Sequence, residues 1–486
     1  MTLVERLEKS VSFWFLLVIS FIFFLLRFPS LFEPYWYGDE GVYQVIALIL
    51  QEGGRLYTDS WDNKPPFLFI IYYLLSGDQF LVRLTSLIFG SISIVFFYFL
   101  SKKLLGQKIS ILTTVFFAFF LATPLIEGNV ANTENFMVFP ITLAIFLFSS
   151  FIKNRRKFKF LYVSSFILGI AFLFKIVAIF DYLSIFTFLL LTQIESKFSL
   201  IKLIKNSNIF IKSVFSFIFL TIPVSLYFLV DGNFRDFIDA FLLKNFAYVN
   251  YKNQLIIPQG LLIVKVIILV LFIFLLYKIR NRLKREYLFI LIWLSFSLFN
   301  TFFSHRPYTH YLLTLLPSFS LLLGLILYDK INRLRFLILF LGTTLIVLSY
   351  FTLYPKSFSY YLNFMNFLTG KKTLYEYRAF FDKNTPRDYE ISNFIKKNTK
   401  ESDNIYLWGD NTQVYSLARK TPPGRYSANY YIFFYKDGFK NTTIGLAKER
   451  PKYVIIMPVN EAYPFSLSNY KLTINIMGVD IYERVN

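Results

Sequence analysis

Two neighbouring carboxylates and one lysine are the residues of this chain whose types and spacing could do chemistry. Asp39 and Glu40 stand a few residues after a long apolar run, and Lys64 begins the sequence Lys-Pro-Pro shortly before the next one. If the first segment is a short helix, both carboxylates share a face with Tyr43. A carboxylate can take a proton from a hydroxyl group, and a fixed ammonium can stabilise a leaving phosphate. The alternative is a solvated loop with ordinary surface charges.

Further ionisable and polar residues stand near the ends of other apolar runs, where charge is costly and usually functional. Each also has a structural explanation. Arg83 and Lys175 could reach lipid headgroups with their long side chains. Glu134 could be an acid at a helix start, which suits the helix dipole, and His310 alone is more typical of a structural residue than of a ligand. The group consists of Arg83, Glu134, Lys175, Arg306, His310 and Tyr311.

The composition indicates a protein that spans a membrane many times. Of the 486 residues, 56% are hydrophobic and only 17% are charged, whereas soluble proteins are about 45–50% apolar. The net charge of +21 sits in short loops between apolar runs, as the positive-inside rule describes, so nucleic acid is not needed to explain it. The chain has no Cys and two His, which excludes a disulfide framework and a structural zinc site built from these residues.

Eleven apolar runs predict membrane spans, since about twenty residues cross the bilayer core. They are 11–32, 79–101, 109–125, 137–152, 160–174, 177–193, 211–230, 258–278, 287–303, 311–328 and 336–353. Five basic loops separate the runs after the second span into pairs, and we expect these loops to be cytoplasmic. Their basic residues are Lys102, Lys103 and Lys108; Lys153, Arg155, Arg156, Lys157 and Lys159; Lys197, Lys202 and Lys205; Lys278, Arg280, Arg282, Lys284 and Arg285; and Lys330, Arg333 and Arg335.

The paired runs fix the rest of the predicted topology. The piece 67–76 is too short to span, and the pairing works only if it does not cross. The first run lacks a small-residue cleavage site, so we interpret it as an uncleaved anchor. The N-terminus is then cytoplasmic, the C-terminus lies outside, and all the candidate residues are placed on the outer side.

Residues 355–486 differ from the rest in being polar and rich in Tyr, Pro and Gly. They predict a small extracytoplasmic α/β domain that follows a transmembrane domain over 1–354, whose outer loop 33–78 carries the two acids. We expect a helix over Arg387–Asn398 and strands over Asn404–Trp408, Tyr453–Met457 and Val479–Glu483. The chain has no Walker phosphate loop and no Rossmann glycine fingerprint. Energy for chemistry must therefore arrive with a substrate on the outer face.

The order of these motifs resembles the GT-C class of glycosyltransferases. The motifs are Asp-Glu followed by Tyr43, the Lys-Pro-Pro at Lys64, Val82-Arg83-Leu84, Thr133-Glu134, and His310-Tyr311-Leu312-Leu313 with Pro317. Over roughly residues 10–350 the chain is most similar to bacterial relatives of dolichyl-phosphate-mannose–protein mannosyltransferase and lipid A aminoarabinose transferase. The Asp-Glu and Lys-Pro-Pro motifs are the more specific part of this resemblance.

The resemblance implies a polytopic α-helical membrane enzyme of the GT-C fold in the bacterial cytoplasmic membrane. It implies inverting transfer of a sugar from a polyprenyl-phosphate donor to a lipid, glycan or protein acceptor of the cell envelope. Asp39 would activate the acceptor, and Lys64 would face the donor phosphate. Candidate catalytic acids are Asp39, Glu40 and Glu134; candidates for the phosphate are Lys64, Arg83, Arg306 and Tyr311; further candidates are Tyr43, Lys175 and His310.

The chain departs from the family's pattern at two positions. The aminoarabinose branch has Glu before Lys-Pro where this chain has Asn63, and Thr314 stands where relatives often have Pro. The first departure puts a metal site that uses that Glu in question. No cofactor is required by the resemblance. A divalent cation stays open, with Glu40, Glu134 and His310 as the candidate ligands.

Two other functional classes compete with a transferase. One is a transporter or flippase of polyprenyl-linked glycans, and the other is a non-catalytic envelope assembly protein. An ion-coupled carrier usually has ionisable groups in the middle of its spans, and these span centres are almost bare of charge. An assembly protein would not need the acids and cations, so alanine at Asp39 would then have no effect.

Overall fold

The computed structural model describes residues 10–193, 207–245 and 260–485. The predicted third basic loop, with Lys197, Lys202 and Lys205, lies outside these residues. The helices from the N-terminus to residue 350 are α1 Val11–Arg27, α2 Gly38–Gln51, α3 Pro66–Leu74, α4 Gln79–Leu105, α5 Gln107–Ala122, α6 Thr133–Lys153, α7 Phe158–Phe174, α8 Ile179–Gln193, α9 Ser207–Ile218, α10 Thr221–Val230, α11 Phe234–Ile238, α12 Gly260–Ile279, α13 Arg285–Thr301, α14 Leu312–Tyr328 and α15 Arg333–Tyr350.

Among the residues that the structure describes, six stretches of helix are long and apolar enough to cross a membrane, or seven if the pair α9 and α10, bent by 45°, forms one span. The six are Val11–Phe32, Gln79–Leu105, Thr133–Lys153, Leu261–Arg282, Thr309–Tyr328 and Arg333–Tyr350. Three shorter apolar helices cover Gln107–Ala122, Phe158–Phe174 and Ile176–Thr192. Together with α13, these elements give a helix or helix pair at every predicted span. Residues 258 and 259 of the eighth span lie outside the described part.

Helix α3 covers most of the apolar piece 67–76 that we expected not to cross. It has nine residues and starts with proline, which suits the first turn because proline has no N–H to leave unpaired. At 1.5 Å per residue the helix is roughly 14 Å long, about half of the hydrocarbon core. Its length agrees with the prediction that this piece does not cross the membrane.

The contacts divide the chain into two compact units. Unit 1 consists of Met1–Phe28, Thr85–Leu229 and Leu242–Ser357. Unit 2 consists of Pro29–Leu84, Val230–Phe241 and Phe358–Asn486. The C-terminal residues therefore share a unit with the predicted outer loop 33–78, an association that the sequence did not indicate.

Within unit 1, apolar helices pack closely through small residues. Gly169 of α7 faces the backbone of α9, and a Cβ at this position would come within 2.1 Å of the Phe217 carbonyl oxygen. A larger residue would force the two helices apart. Small residues at helix contacts are typical of membrane proteins, where close backbone approach replaces the hydrophobic effect as a source of stability.

The C-terminal part of unit 2 is a small α/β fold. Its helices are α16 Ser357–Leu368, which begins at the last residue of unit 1, α17 Leu374–Phe381, α18 Thr385–Asn398, α19 Gln413–Ala418, α20 Asn429–Phe434 and α21 Gly438–Glu449. Its strands are β1 Ile405–Trp408, β2 Tyr453–Ile456, β3 Tyr470–Ile476 and β4 Val479–Arg484. The sheet has the order β1-β2-β4-β3, with β1 and β2 parallel and the other pairs antiparallel. The predicted helix and three strands are confirmed, and β3 was missed.

The core of this α/β fold includes residues from far earlier in the chain. Val45 and Ile49 of α2 pack in one buried cluster with Ile391 of α18, Leu407 of β1 and Ile481 of β4. Helix α2 therefore buries one apolar face against the C-terminal sheet. This core fixes α2, and α2 in turn fixes the position of the two carboxylates at its start.

Candidate functional site

Helix α2 begins at Gly38, so Asp39 and Glu40 both lie in its first turn. The segment is therefore helical and not a solvated loop, and the positive end of the helix dipole favours carboxylates at this position. The two side chains lie in different surroundings. Glu40 is 1% exposed, whereas Asp39 is only partly buried. Of the two acids, Asp39 is the one that a ligand can reach.

The buried Glu40 forms part of an ion cluster around Arg83. The Nε and Nη2 atoms of Arg83 donate to Glu40 Oε2 at 3.1 and 2.8 Å. Its Nη1 lies 2.7 Å from Glu33 Oε2 and donates to the Ser30 carbonyl oxygen at 2.9 Å. Glu33 also accepts from the Tyr360 hydroxyl at 2.6 Å. In this structure Glu40 and Arg83, predicted for catalysis and for the phosphate, pair with each other, and Glu33 is a partner that we did not predict.

Replacing Arg83 with methionine should destabilise the protein strongly. The change leaves two carboxylates buried without their cation, which costs about 3–5 kcal/mol of folding free energy in buried ion pairs. Arg55 is the matched control, because its pair with Asp59 leaves both side chains 47% exposed. Arg55→Met should cost about 0–1 kcal/mol. Thermal unfolding of the purified variants in detergent measures both effects, and equal midpoints for the two variants would contradict the buried pair's importance.

Lys64 lies immediately before α3 and is fixed by its neighbours. Its Nζ atom lies 3.3 Å from both carboxylate oxygens of Asp62 and 4.9 Å from the centre of the Tyr43 ring. Its carbonyl oxygen accepts from the Tyr57 hydroxyl at 2.7 Å. The Lys64 side chain is 17% exposed. The predicted lysine is thus held in place and still reaches solvent, with Asp62 as a partner that the sequence analysis did not select.

Tyr43 is a neighbour of both the lysine and the accessible acid. It is fully buried, and burial, followed by the charges of Asp39 and Asp62, raises the pKa of Tyr43 well above its ordinary value. The phenol therefore stays neutral and cannot serve as the base at physiological pH. Lys64 and Asp39 both lie near Tyr43 in unit 2, and their predicted roles stay predictions.

Unit 1 contains a second polar cluster. Lys175 pairs with Glu134, and its Nζ lies 4.6 Å from the centre of the Tyr311 ring. His310 Nδ1 lies 3.0 Å from Glu127 Oε2. Glu127 was not among the predicted site residues. Its φ of 59° is a left-handed conformation that is uncommon for a residue with a side chain, and such strain often accompanies functional positions.

Arg306, a predicted phosphate residue, lies in the loop before α14. It is partly exposed, and its Nη1 lies 3.5 Å from the Tyr308 hydroxyl. Its backbone N–H donates to Ser304 Oγ at 3.0 Å. These contacts belong to the loop before α14. The role of Arg306 at the phosphate stays a prediction.

The residues predicted as possible metal ligands do not form a metal-binding set. Glu40 accepts hydrogen bonds from Arg83 on both carboxylate oxygens, and Glu134 pairs with Lys175. Among the residues that the structure describes, no three His, Asp or Glu side chains come together in a way that could hold an ion. We derive no chemical step through a metal.

Comparisons with known proteins agree with the resemblance drawn from the motifs. Residues 64–230 match the family model of dolichyl-phosphate-mannose-protein mannosyltransferase. This match begins at Lys64 and includes Arg83, Glu134 and Lys175. A search of the curated proteins finds no match to the chain.

Two solved structures of one protein show the same fold. ArnT from Cupriavidus metallidurans bound to undecaprenyl phosphate aligns over 97% of this chain and 98% of that chain, with 13% identity and a TM-score of 0.56. The apo state of ArnT aligns over the same shares with 14% identity and the same TM-score. The Archaeoglobus fulgidus oligosaccharyltransferase tethered with an acceptor peptide covers 93% of this chain and 69% of that chain, at 14% identity and a TM-score of 0.49, too low for a shared fold to follow. The predicted GT-C fold class is confirmed.

Proposed function

We propose that this GT-C glycosyltransferase of the membrane transfers a sugar from a polyprenyl-phosphate donor to a hydroxyl group of a lipid, glycan or protein acceptor, with inversion. The observation that carries the proposal is the Lys64 ammonium, held next to Tyr43 in the same unit as the accessible Asp39. This arrangement supplies both a base and a cation for a phosphate. The similarity in fold to ArnT, whose structure contains undecaprenyl phosphate, supports a polyprenyl phosphate as the lipid.

The proposed reaction is a single displacement. Asp39 takes the proton from the acceptor hydroxyl, and the acceptor oxygen forms a bond to the anomeric carbon of the sugar. The bond from that carbon to the phosphate oxygen breaks, and its electron pair stays on the polyprenyl phosphate. Lys64 stabilises the charge that grows there. A phosphate leaves without a general acid, so one base and one cation are sufficient.

We infer that Arg83 and Glu40 act on this chemistry indirectly. Their ion pair fixes the first turn of α2 and thereby holds Asp39 in its accessible position. Glu134, Lys175, His310 and Tyr311 keep their predicted role as a second group of candidates for contact with donor or acceptor. Glu134 and His310 are buried, and Lys175 contacts both Glu134 and the Tyr311 ring, which supports a shared function.

Transfer of label distinguishes this function from the competing ones. Membranes that contain the protein would be given polyprenyl phosphates with labelled hexoses or pentoses, and the label should move from the lipid to an acceptor. Movement of the intact glycolipid across the membrane without cleavage would instead favour a flippase. Label that neither leaves the lipid nor crosses the membrane, over a panel of sugars, would favour an assembly protein.

We also propose that the protein lies in the bacterial cytoplasmic membrane with its N-terminus inside and its C-terminal domain outside. The absence of native Cys suits labelling of single cysteines in intact cells. Leu105→Cys and Arg156→Cys should be protected from an impermeant reagent, because both positions lie in predicted cytoplasmic loops. Asp59→Cys, at a half-exposed position of the outer loop, should react and serves as the control. Labelling of position 105 or 156 from outside would overturn the topology.

A further inference from the structure

A tyrosine from the C-terminal part of the chain contacts the acid that holds Lys64. The hydroxyl of Tyr431, in α20, donates to Asp62 Oδ2 at 2.9 Å across 369 residues of sequence. Asp62 is 1% exposed and Tyr431 is 4% exposed. Because both groups are buried, water hardly competes for this hydrogen bond between a phenol and a carboxylate. The bond is therefore strong and directional.

Asp62 in turn fixes both the backbone and the ammonium group of Lys64. Its Oδ1 accepts from the Lys64 backbone N–H at 3.1 Å, and both of its oxygens lie 3.3 Å from the Lys64 ammonium. A lysine side chain is flexible and otherwise samples many rotamers. The carboxylate therefore determines where the ammonium stands, and Tyr431 determines how the carboxylate is turned.

We propose that Tyr431 and Asp62 are positioning residues through which the C-terminal domain aims Lys64 at the donor phosphate. This inference rests on the proposed function, because it takes Lys64 as the group that meets the leaving phosphate. It assigns a role to a domain that carries no recognised catalytic motif. The contribution is preorganisation: an ammonium already in place needs no rearrangement when charge develops on the phosphate.

The surroundings of Tyr431 support this role. Its ring stacks on Tyr435 at 6.0 Å, and Tyr435 packs edge-on against Trp61 at 5.3 Å. The tyrosine is thus braced against the residue that precedes Asp62. Burial, followed by the charge of Asp62, raises the pKa of Tyr431 well above its ordinary value. The hydroxyl therefore keeps its proton and remains a donor throughout the pH range of an assay.

Tyr431→Phe removes the hydrogen bond and keeps the ring. We expect kcat to fall about tenfold, the size associated with a lost hydrogen bond to a charged group, while the donor KM stays within about twofold. Asp62→Asn, which keeps the shape of the acid, should show the same pattern. The matched control is Tyr426→Phe, because Tyr426 lies in the same aromatic cluster and donates to a different carboxylate, that of Asp437, at 3.0 Å.

The Lys64→Ala background separates positioning from a general structural effect. If Tyr431 acts through Lys64, adding Tyr431→Phe to Lys64→Ala should cause no further loss of kcat. Two results would overturn this inference and leave the proposed function intact. One is an equal activity of Tyr431→Phe and Tyr426→Phe. The other is a loss of kcat from Tyr431→Phe that is as large in the Lys64→Ala background as in the original chain. A Lys64→Ala enzyme with normal kcat would instead remove the phosphate role of Lys64 from the proposed function, and this inference would fail with it.

Discussion

Replacing Asp39 with asparagine is expected to lower turnover by about 100- to 10,000-fold, the usual cost of losing a general base. Asparagine has nearly the same shape as aspartate but cannot accept the proton of the acceptor hydroxyl. Asp39 is only partly buried, so the change removes little packing. Donor binding and thermal unfolding of the purified protein should remain close to those of the original chain.

Glu40→Gln is the natural comparison for this prediction, because it makes the same chemical change at the adjacent position. Glu40 is buried against Arg83, so its replacement should lower the unfolding midpoint as well as the activity. The two variants therefore separate chemistry from stability. An Asp39→Asn enzyme with near-normal turnover would falsify the assignment of the base. A large fall in its unfolding midpoint would show that Asp39 is structural instead.

Replacing Lys64 with alanine should lower kcat more than it raises the donor KM. The charge on the phosphate grows as the bond to the sugar breaks, so a fixed ammonium stabilises the transition state more than the bound donor. Lys64→Arg should restore activity only in part, because a planar guanidinium does not reproduce the position of a point charge held by Asp62. Steady-state kinetics of the reconstituted protein, with the donor concentration varied, measures both constants.

Lys397→Ala is a suitable control, because Lys397 is an exposed lysine near the end of α18. It should leave both kinetic constants unchanged, which would show that a loss of one positive charge from unit 2 has no general effect. A Lys64→Ala variant with an unchanged kcat would reduce Lys64 to a loop lysine near the lipid headgroups. An increase in KM alone would mean that Lys64 binds the donor without favouring its reaction.

The sequence predicted the parts of the fold and site that depend on local pattern. Apolar runs between basic loops identified the helices, because the length of a membrane span is set by the bilayer. The apolar piece after Lys64 was recognised as too short to span, and the spacing of Asp39, Glu40 and Tyr43 was compatible with a helix that begins near Asp39. Strand β3 was missed because most of its residues are exposed, so no buried face marks it in the sequence.

The partners of the site residues could not be predicted, because they come from distant parts of the chain. Arg83 carries a charge at the start of a span, and its sequence neighbours give no sign that Glu33 and Glu40 neutralise it. Tyr431 lies 369 residues after Asp62. Its segment is rich in tyrosine, and such a composition suggests residues that pack in a core and does not single out one tyrosine for the site. Spacing identifies residues that share one helix face, but pairing across a fold requires the fold itself.

The shared core of α2 and the C-terminal sheet has a consequence for biosynthesis. Val45 and Ile49 are synthesised long before Val479 and Ile481 of β4, which pack in the same cluster. Domains usually fold in the order of their synthesis, but the apolar face of α2 must wait for residues added hundreds of steps later. The growing polypeptide therefore lacks the complete core behind α2, the helix that carries Asp39 in its first turn, until β4 has been added.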